Sequence, residues 1–115
     1  MFPTLRLCAP AFVGLVALMA LPTAHAVDAA KATELAKAKA CMSCHAVDRK
    51  LVGPAYKDVA EKYKADKEAP AKLAQKILKG GSGVWGPVPM PATAGLAESD
   101  ALLLAQWVLA GAPSK

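Results

Sequence analysis

The chain has 115 residues, a formal net charge of +5 and 55% hydrophobic residues. This length allows one small domain with little room for a self-sufficient hydrophobic core. No dense basic run with interleaved aromatic residues occurs, so we expect no nucleic-acid partner.

Residues 1–26 have the pattern of a cleaved secretory signal peptide. A single charge precedes an apolar run over residues 9–21, and Ala-His-Ala at 24–26 is a small-x-small cleavage site. The run is shorter than the ~20 residues that span a bilayer, so an uncleaved anchor is the weaker alternative and we expect no membrane span after cleavage. Residues 27–115 then form the mature domain, in which 13 Lys and Arg oppose nine Asp and Glu, a formal charge of +4.

The cap and breaker residues of the mature domain predict an all-α fold of four helices. Asp28 is the expected N-cap of the first helix and Ser99 that of the last, because short polar side chains accept hydrogen bonds from the free N–H groups of a first turn. The predicted helices cover residues 31–40, 55–64, 70–79 and 100–110. The spacing of Leu103, Trp107 and Ala110 places them on one face of the last helix, flanked by Leu104 and Val108, and we expect Trp107 to pack into the core.

A long loop that cannot be helical separates the last two predicted helices. Its sequence GGSGVWGPVPMPATAG, residues 80–95, contains five glycines and three prolines. Both residue types interrupt helices. Loops of this length in compact domains are usually functional or disordered, so this loop is a candidate part of the site.

The stretch CMSCH, residues 41–45, contains both cysteines and the single histidine of the mature domain. Three chemical interpretations compete for it. A thioredoxin-type dithiol should begin a helix that follows a strand, whereas this motif follows a helix and no strand is predicted. A structural zinc site needs four ligands, and no second Cys or His pair completes the three in the motif. Asp48 could be a fourth ligand, but its spacing matches no common zinc arrangement. The third interpretation is C-x-x-C-H attachment of a haem.

The haem interpretation uses both cysteines and the histidine of the motif. Cys41 and Cys44 are three residues apart on one side of a helical turn, so both thiols can form thioethers with the same porphyrin. His45 follows directly and can bind the iron. The mature domain contains only two tyrosines, two tryptophans and no phenylalanine, and a haem would supply the apolar bulk that such a core lacks.

With no second histidine, the sixth iron ligand is a methionine, a lysine, a tyrosine or water, or the position is open. Met90 is the one methionine of the mature domain outside the motif, and Pro89 and Pro91 flank it. Prolines restrict the backbone and lower the entropy lost when a side chain is fixed, which favours an iron ligand over simple filling of the core. We therefore predict His45 and Met90 as the axial ligands.

The segments ACMSCHAVDRKLVGPAYKDVA, GVWGPVPMPA and LAQWVLA resemble the small monohaem class I cytochromes c of bacteria, in particular the cytochrome c-551 subgroup. The resemblance covers essentially the whole mature domain. It implies about four helices wrapped around one covalently attached haem c, with a Gly/Pro-rich loop that supplies the methionine ligand. It also implies a periplasmic one-electron carrier rather than an enzyme. Nothing in the sequence suggests an obligate dimer, so we expect a monomer.

The same resemblance implies roles for residues around the haem. The carbonyl of Pro54 would accept the imidazole N–H, and Trp85 would hydrogen-bond a haem propionate. Lys76 stands where close relatives have an arginine that pairs with a propionate, and it keeps the charge without the bidentate geometry. Thr93 stands at a position that is often asparagine, which leaves the hydrogen bonding near the methionine sulfur open.

The resemblance also implies the classes of redox partner. The donor would be a membrane cytochrome complex, and the acceptor a nitrite reductase, a cytochrome c peroxidase or a terminal oxidase. A mildly cationic surface around the haem edge favours acidic partners, with sensitivity to salt. Two alternatives remain: a haem enzyme or gas sensor in which Met90 leaves the iron, and a metal or thiol module without haem.

Overall fold

The computed structural model describes residues 9–11, 14 and 27–114. The predicted signal peptide, residues 1–26, lies largely outside the described residues, and its cleavage stays a prediction. Among the residues that are described, no helix is long and apolar enough to cross a membrane.

Four α-helices and one short 3-10 helix make up the helical structure of residues 27–114. They are α1 (Ala29–Ala38), the 3-10 helix (Cys41–Ser43), α2 (Tyr56–Tyr63), α3 (Ala69–Lys79) and α4 (Glu98–Leu109). Strand-like pairing within the same range is limited to one antiparallel bridge between Gly81 and Met90. The predicted all-α class with four helices is confirmed.

The predicted cap determines the start of α1 but not the start of α4. The Asp28 carboxylate accepts a hydrogen bond from the backbone N–H of Lys31 at 3.0 Å, as an N-cap does. The prediction that Ser99 caps the last helix is wrong, because α4 begins one residue earlier, at Glu98, after an extended Ala97 that makes no side-chain cap. Two carboxylates in the first turn favour this helix start through the helix dipole instead.

Helix α4 lies at the centre of the fold and contacts α1, α2 and α3. Its buried residues are Ala101, Leu104, Ala105, Trp107 and Val108. The prediction of its packing face is correct for Trp107 but wrong for Ala110, which is exposed, and Leu103 is only half-buried. The residues predicted to flank that face, Leu104 and Val108, are buried. A helix that packs against three neighbours buries a wider stripe than one row of residues, so spacing alone did not give the limits of the face.

Small side chains let α1 and α4 approach each other closely. Ala32 and Ala36 of α1 and Ala101 and Ala105 of α4 are completely buried, and the distance between packed helices depends on the side chains at their contact. Throughout residues 27–114 no large side chain is completely enclosed. The alanine-rich core therefore leaves space between α2, α3 and α4, and the candidate site lies there.

Candidate functional site

A cavity of about 400 Å³ is bounded by the 3-10 helix, by α2, α3 and α4, and by the loop of residues 80–95. This volume falls in the range of small-molecule and cofactor sites. Its lining includes all seven site residues predicted from the sequence: Cys41, Cys44, His45, Pro54, Lys76, Trp85 and Met90. The fold thus brings the motif, the turn before α2, the end of α3 and the long loop around one space.

The CMSCH motif forms one wall of the cavity. Ala40 adopts a left-handed backbone conformation with φ 58°, which costs an L-residue roughly 1–2 kcal/mol and turns the chain from α1 into the 3-10 helix. The backbone N–H of His45 donates to the carbonyl of Cys41 at 3.0 Å. Both thiols are half-buried and line the cavity with the imidazole, so three potential haem-binding groups share one wall.

The imidazole of His45 is fixed through one of its two nitrogens. Nδ1 lies 2.8 Å from the carbonyl oxygen of Pro54. Because a carbonyl can only accept, Nδ1 carries the proton and Nε2 is left to bind a metal. This is the contact that the resemblance implies for Pro54, and its role toward a bound haem stays a prediction.

Aromatic rings and a glycine pack against the same imidazole. The Tyr56 ring stacks on it with centroids 5.1 Å apart and planes 20° apart. The Trp107 ring packs edge-on against Tyr56, with the ring centroids 5.4 Å apart. A Cβ added to Gly53 would lie only 2.5 Å from Cε1 of His45. Sequence reasoning missed this packing, because the Gly-Pro pair that follows the motif signalled only a turn.

The loop of residues 80–95 supplies a further group that lines the cavity, the thioether of Met90. Met90 and Gly81 exchange two backbone hydrogen bonds, of 2.8 and 3.0 Å. Gly80 has φ 70°, and a Cβ there would collide with the carbonyl oxygen of Met90. From the sequence, Gly80 is expected only to end α3, and its close approach to the Met90 carbonyl is not predicted. Further along, the N–H of Thr93 donates to the carbonyl of Ile77 at 3.1 Å and ties the loop to α3.

The two residues predicted to bind haem carboxylates lie at the rim of the cavity. Lys76 is half-buried, and its Nζ lies 2.6 Å from the position that a Cβ on Gly81 would take. Trp85 is 42% exposed. An ammonium group and an indole N–H near solvent are donors that can bind carboxylates without burying unpaired charge.

The electrostatics of the cavity favour a neutral interior and a cationic rim. Burial raises the pKa of the Cys41 thiol, against an opposing contribution from a backbone hydrogen bond. Burial also raises the pKa of Tyr56, so both groups are neutral at pH 7. The charged lining residues are Lys39, Lys50, Asp58 and Lys76. Three cations against one anion suit a cofactor that carries carboxylates.

These features fit a covalently attached haem. Two thiols on one turn, an imidazole with one free nitrogen and a thioether from a separate loop all line an apolar space. The cationic rim complements propionate groups. Comparisons with known proteins agree with this interpretation.

The family model for cytochrome c matches residues 29–111. The chain is 55% identical to cytochrome c-551 of Pseudomonas aeruginosa over 75 residues, which cover 65% of this chain and 71% of that protein. It is 57% identical to cytochrome c-552 of Hydrogenobacter thermophilus over 76 residues, which cover 66% of this chain and 76% of that protein. The crystal structure of wild-type Nitrosomonas europaea cytochrome c552 aligns with a TM-score of 0.66 and 47% identity, over 68% of this chain and 96% of that one.

The helical fold and the attachment motif define a small haem-containing electron carrier. The chain belongs to the cytochrome c family, and within it to the small monohaem class I cytochromes of the c-551 type. It carries one covalently attached haem c.

Proposed function

We propose that this cytochrome is a periplasmic one-electron carrier in which Cys41 and Cys44 attach the haem and His45 and Met90 bind its iron. The observation that carries the proposal is that these four side chains line one cavity, although Met90 lies in a loop far from the motif in sequence. When bound, the haem supplies an iron centre that cycles between the ferrous and ferric states. The protein residues determine how that centre is held and tuned.

His45 acts through both ring nitrogens. Its Nδ1–H donates to the carbonyl of Pro54, 2.8 Å away, which keeps the ring in one tautomer and increases electron donation from Nε2. Stacking on Tyr56 limits rotation of the ring. A ligand held in this way changes position little between oxidation states, as electron transfer requires.

Met90 contributes a neutral thioether, which raises the reduction potential relative to a second imidazole. Its backbone is held by the paired hydrogen bonds to Gly81 and by its flanking prolines. With His45 and Met90 both holding the iron, no substrate would need to bind it. This supports a carrier rather than an enzyme.

At the rim, Trp85 would donate its indole N–H to a haem propionate, and the Lys76 ammonium would pair with a propionate. Both side chains line the cavity. Lys76 supplies charge without the two parallel hydrogen bonds of an arginine. The rim thereby offsets the negative charge that the propionates bring.

Export and partner choice rest on the sequence and on the family. The signal-peptide pattern of residues 1–26 supports a periplasmic location. The family supports a membrane cytochrome complex as donor and a nitrite reductase, cytochrome c peroxidase or terminal oxidase as acceptor. The formal charge of +4 on residues 27–115 supports docking of a monomer on acidic surfaces, with sensitivity to salt.

The first test is the absorption spectrum of the exported protein in its oxidised and reduced states, the latter with and without carbon monoxide. We expect a sharp low-spin ferrous spectrum that carbon monoxide does not change, and a weak red methionine–iron(III) band on oxidation. Met90→Ala should abolish that band and allow carbon monoxide to bind. A carbon monoxide-reactive wild type would instead indicate a haem enzyme or gas sensor, and an unchanged spectrum in the variant would contradict the ligand assignment.

A further inference from the structure

Lys62, in the last turn of α2, places its ammonium over an aromatic ring at the rim of the haem cavity. Its Nζ lies 5.5 Å from the centroid of Trp85 and 6.0 Å from that of Tyr63. A cation within about 6 Å of a ring face is attracted by the ring, by roughly 0.5–1 kcal/mol at an exposed site. Within residues 27–114 Lys62 makes no salt bridge, whereas Lys64 and Lys72 both do. The aromatic rings are therefore the partners of this ammonium.

The segment that carries Trp85 has few other attachments to the protein. In the described part of the chain, the hydrogen bonds of residues 82–89 stay within the loop, as in the 2.8 Å bond from the N–H of Gly83 to the carbonyl of Gly86. Pro87 and Pro89 have no N–H to donate. The contact between Lys62 and Trp85 thus connects the tip of the loop to α2.

We propose that Lys62 is a positioning residue that holds the Trp85 indole at the mouth of the haem site. The inference rests on the proposed function, in which Trp85 donates to a haem propionate. A cation on the ring face draws electron density from the indole, which makes the N–H a stronger donor. It also restricts the ring before the propionate is bound, so less entropy is lost on forming the bond.

The ammonium should influence the iron as well as the ring. A positive charge near the haem favours the ferrous state, because the ferric state carries one more positive charge. Lys64 is the matched control, since it is the C-cap residue of α2, two residues after Lys62 and about 200° around the helix axis. It carries the same charge, but its ammonium pairs with Glu61.

The test uses nuclear magnetic resonance of the holoprotein in its diamagnetic ferrous state. We expect the ε-methylene protons of Lys62 to be shifted upfield by the ring and those of Lys64 to resonate at ordinary lysine positions. In Lys62→Met, solvent exchange of the Trp85 indole N–H should rise roughly two- to fivefold, the equivalent of a lost exposed cation–π contact. Lys62→Arg should keep the wild-type rate. The buried Trp107 indole, which donates to the carbonyl of Pro113 at 2.8 Å, is an internal reference that should not change.

The midpoint potential is the second measurement. It should fall in Lys62→Met, recover in Lys62→Arg and fall less in Lys64→Met. Any of three results would overturn the role of Lys62: an unchanged Trp85 exchange rate in Lys62→Met, an equal rise of that rate in Lys64→Met, or ε-methylene protons of Lys62 that are not shifted. In each case a normal methionine–iron spectrum would leave the proposed carrier function intact. If the Trp85 indole N–H of the wild type exchanged as fast as that of free indole, the hydrogen bond from Trp85 to a propionate would be contradicted. The role of Lys62 would then be contradicted as well.

Discussion

The two walls of the haem cavity hold their iron-binding side chains by different means. On the motif wall, formed by residues 41–45, His45 is fixed by the turn before α2 and by α2 itself: the carbonyl of Pro54, the ring of Tyr56 and the backbone of Gly53. On the loop wall, Met90 is fixed mainly by backbone pairing within its own loop. We therefore expect changes on the motif wall to spread into the core, and changes on the loop wall to act first on the methionine.

The largest effect is expected for Gly80→Ala on the loop wall. An alanine here would be held at φ 70°, a backbone conformation that residues with a side chain rarely adopt. Its Cβ would also collide with the backbone carbonyl of Met90, which cannot rotate away as a side chain can. We expect a loss of about 2–4 kcal/mol in the free energy of unfolding and a weakened methionine–iron(III) band. Urea denaturation and the oxidised absorption spectrum measure the two effects.

Gly83→Ala is the matched control for that prediction. Gly83 also has a positive φ, of 100°, but an added Cβ would meet nothing within 4 Å. Backbone strain alone should cost about 1–3 kcal/mol and leave the band in place. Equal losses in the two variants would show that the close approach to Met90 is unimportant.

Gly53→Ala applies the same change to the motif wall. The Cβ would lie 2.5 Å from Cε1 of the His45 ring, and the imidazole would have to move away from Pro54. Overpacking of this kind costs about 1–3 kcal/mol. Faster exchange of the His45 Nδ1–H, together with a lower urea midpoint and a retained methionine band, would confirm that the two walls respond separately. A lost band with unchanged Nδ1–H exchange would contradict it.

Asp28→Ala should have a smaller effect, because it removes the cap at the end of α1 distant from the motif. Loss of the hydrogen bond to the Lys31 N–H should cost about 1 kcal/mol. Ser99→Ala serves as control, since α4 starts without a side-chain cap, and should stay within about 0.5 kcal/mol of wild type. Thermal unfolding of both variants provides the comparison. A larger loss of stability for Ser99→Ala than for Asp28→Ala would indicate that Ser99 caps α4 after all.

The smallest effect is expected in the turn between α2 and α3, which belongs to neither wall. The hydrogen bond from Lys72, with that from the backbone N–H of Glu68, lowers the pKa of the Asp66 carboxyl. A carboxyl with a lowered folded-state pKa stabilises the protein above its unfolded pKa, and this stability is lost as the pH falls through the folded value. Asp66→Asn should therefore be slightly less stable than wild type at pH 7, with the difference disappearing in acid below about pH 4. A difference that stays constant down to pH 2 would exclude ionisation of Asp66 as its cause.

The helices and the chemistry of the site could be predicted from the sequence because their signals are local. Asp28, Gly80 and the prolines act within a few residues of a helix end, so the helix boundaries came within about two residues. Ser99 was misjudged because several residues in a row can start a helix when acidic side chains stabilise the first turn. Ala110 was misjudged because the packing face of α4 depends on three neighbours at once.

By itself, the sequence determined the class of fold and the haem-attachment motif, since both depend on residue type and short spacing. It also indicated Met90 as the second iron ligand, because the mature domain has no other methionine outside the motif. Only the tertiary structure decided which residues outside the motif support those ligands. Tyr56 behind the imidazole, Gly53 against its edge and Lys62 over Trp85 are contacts between separate elements. Such contacts depend on how helices and loops pack around the haem cavity, and the spacing of residues along the chain carries no direct record of that packing.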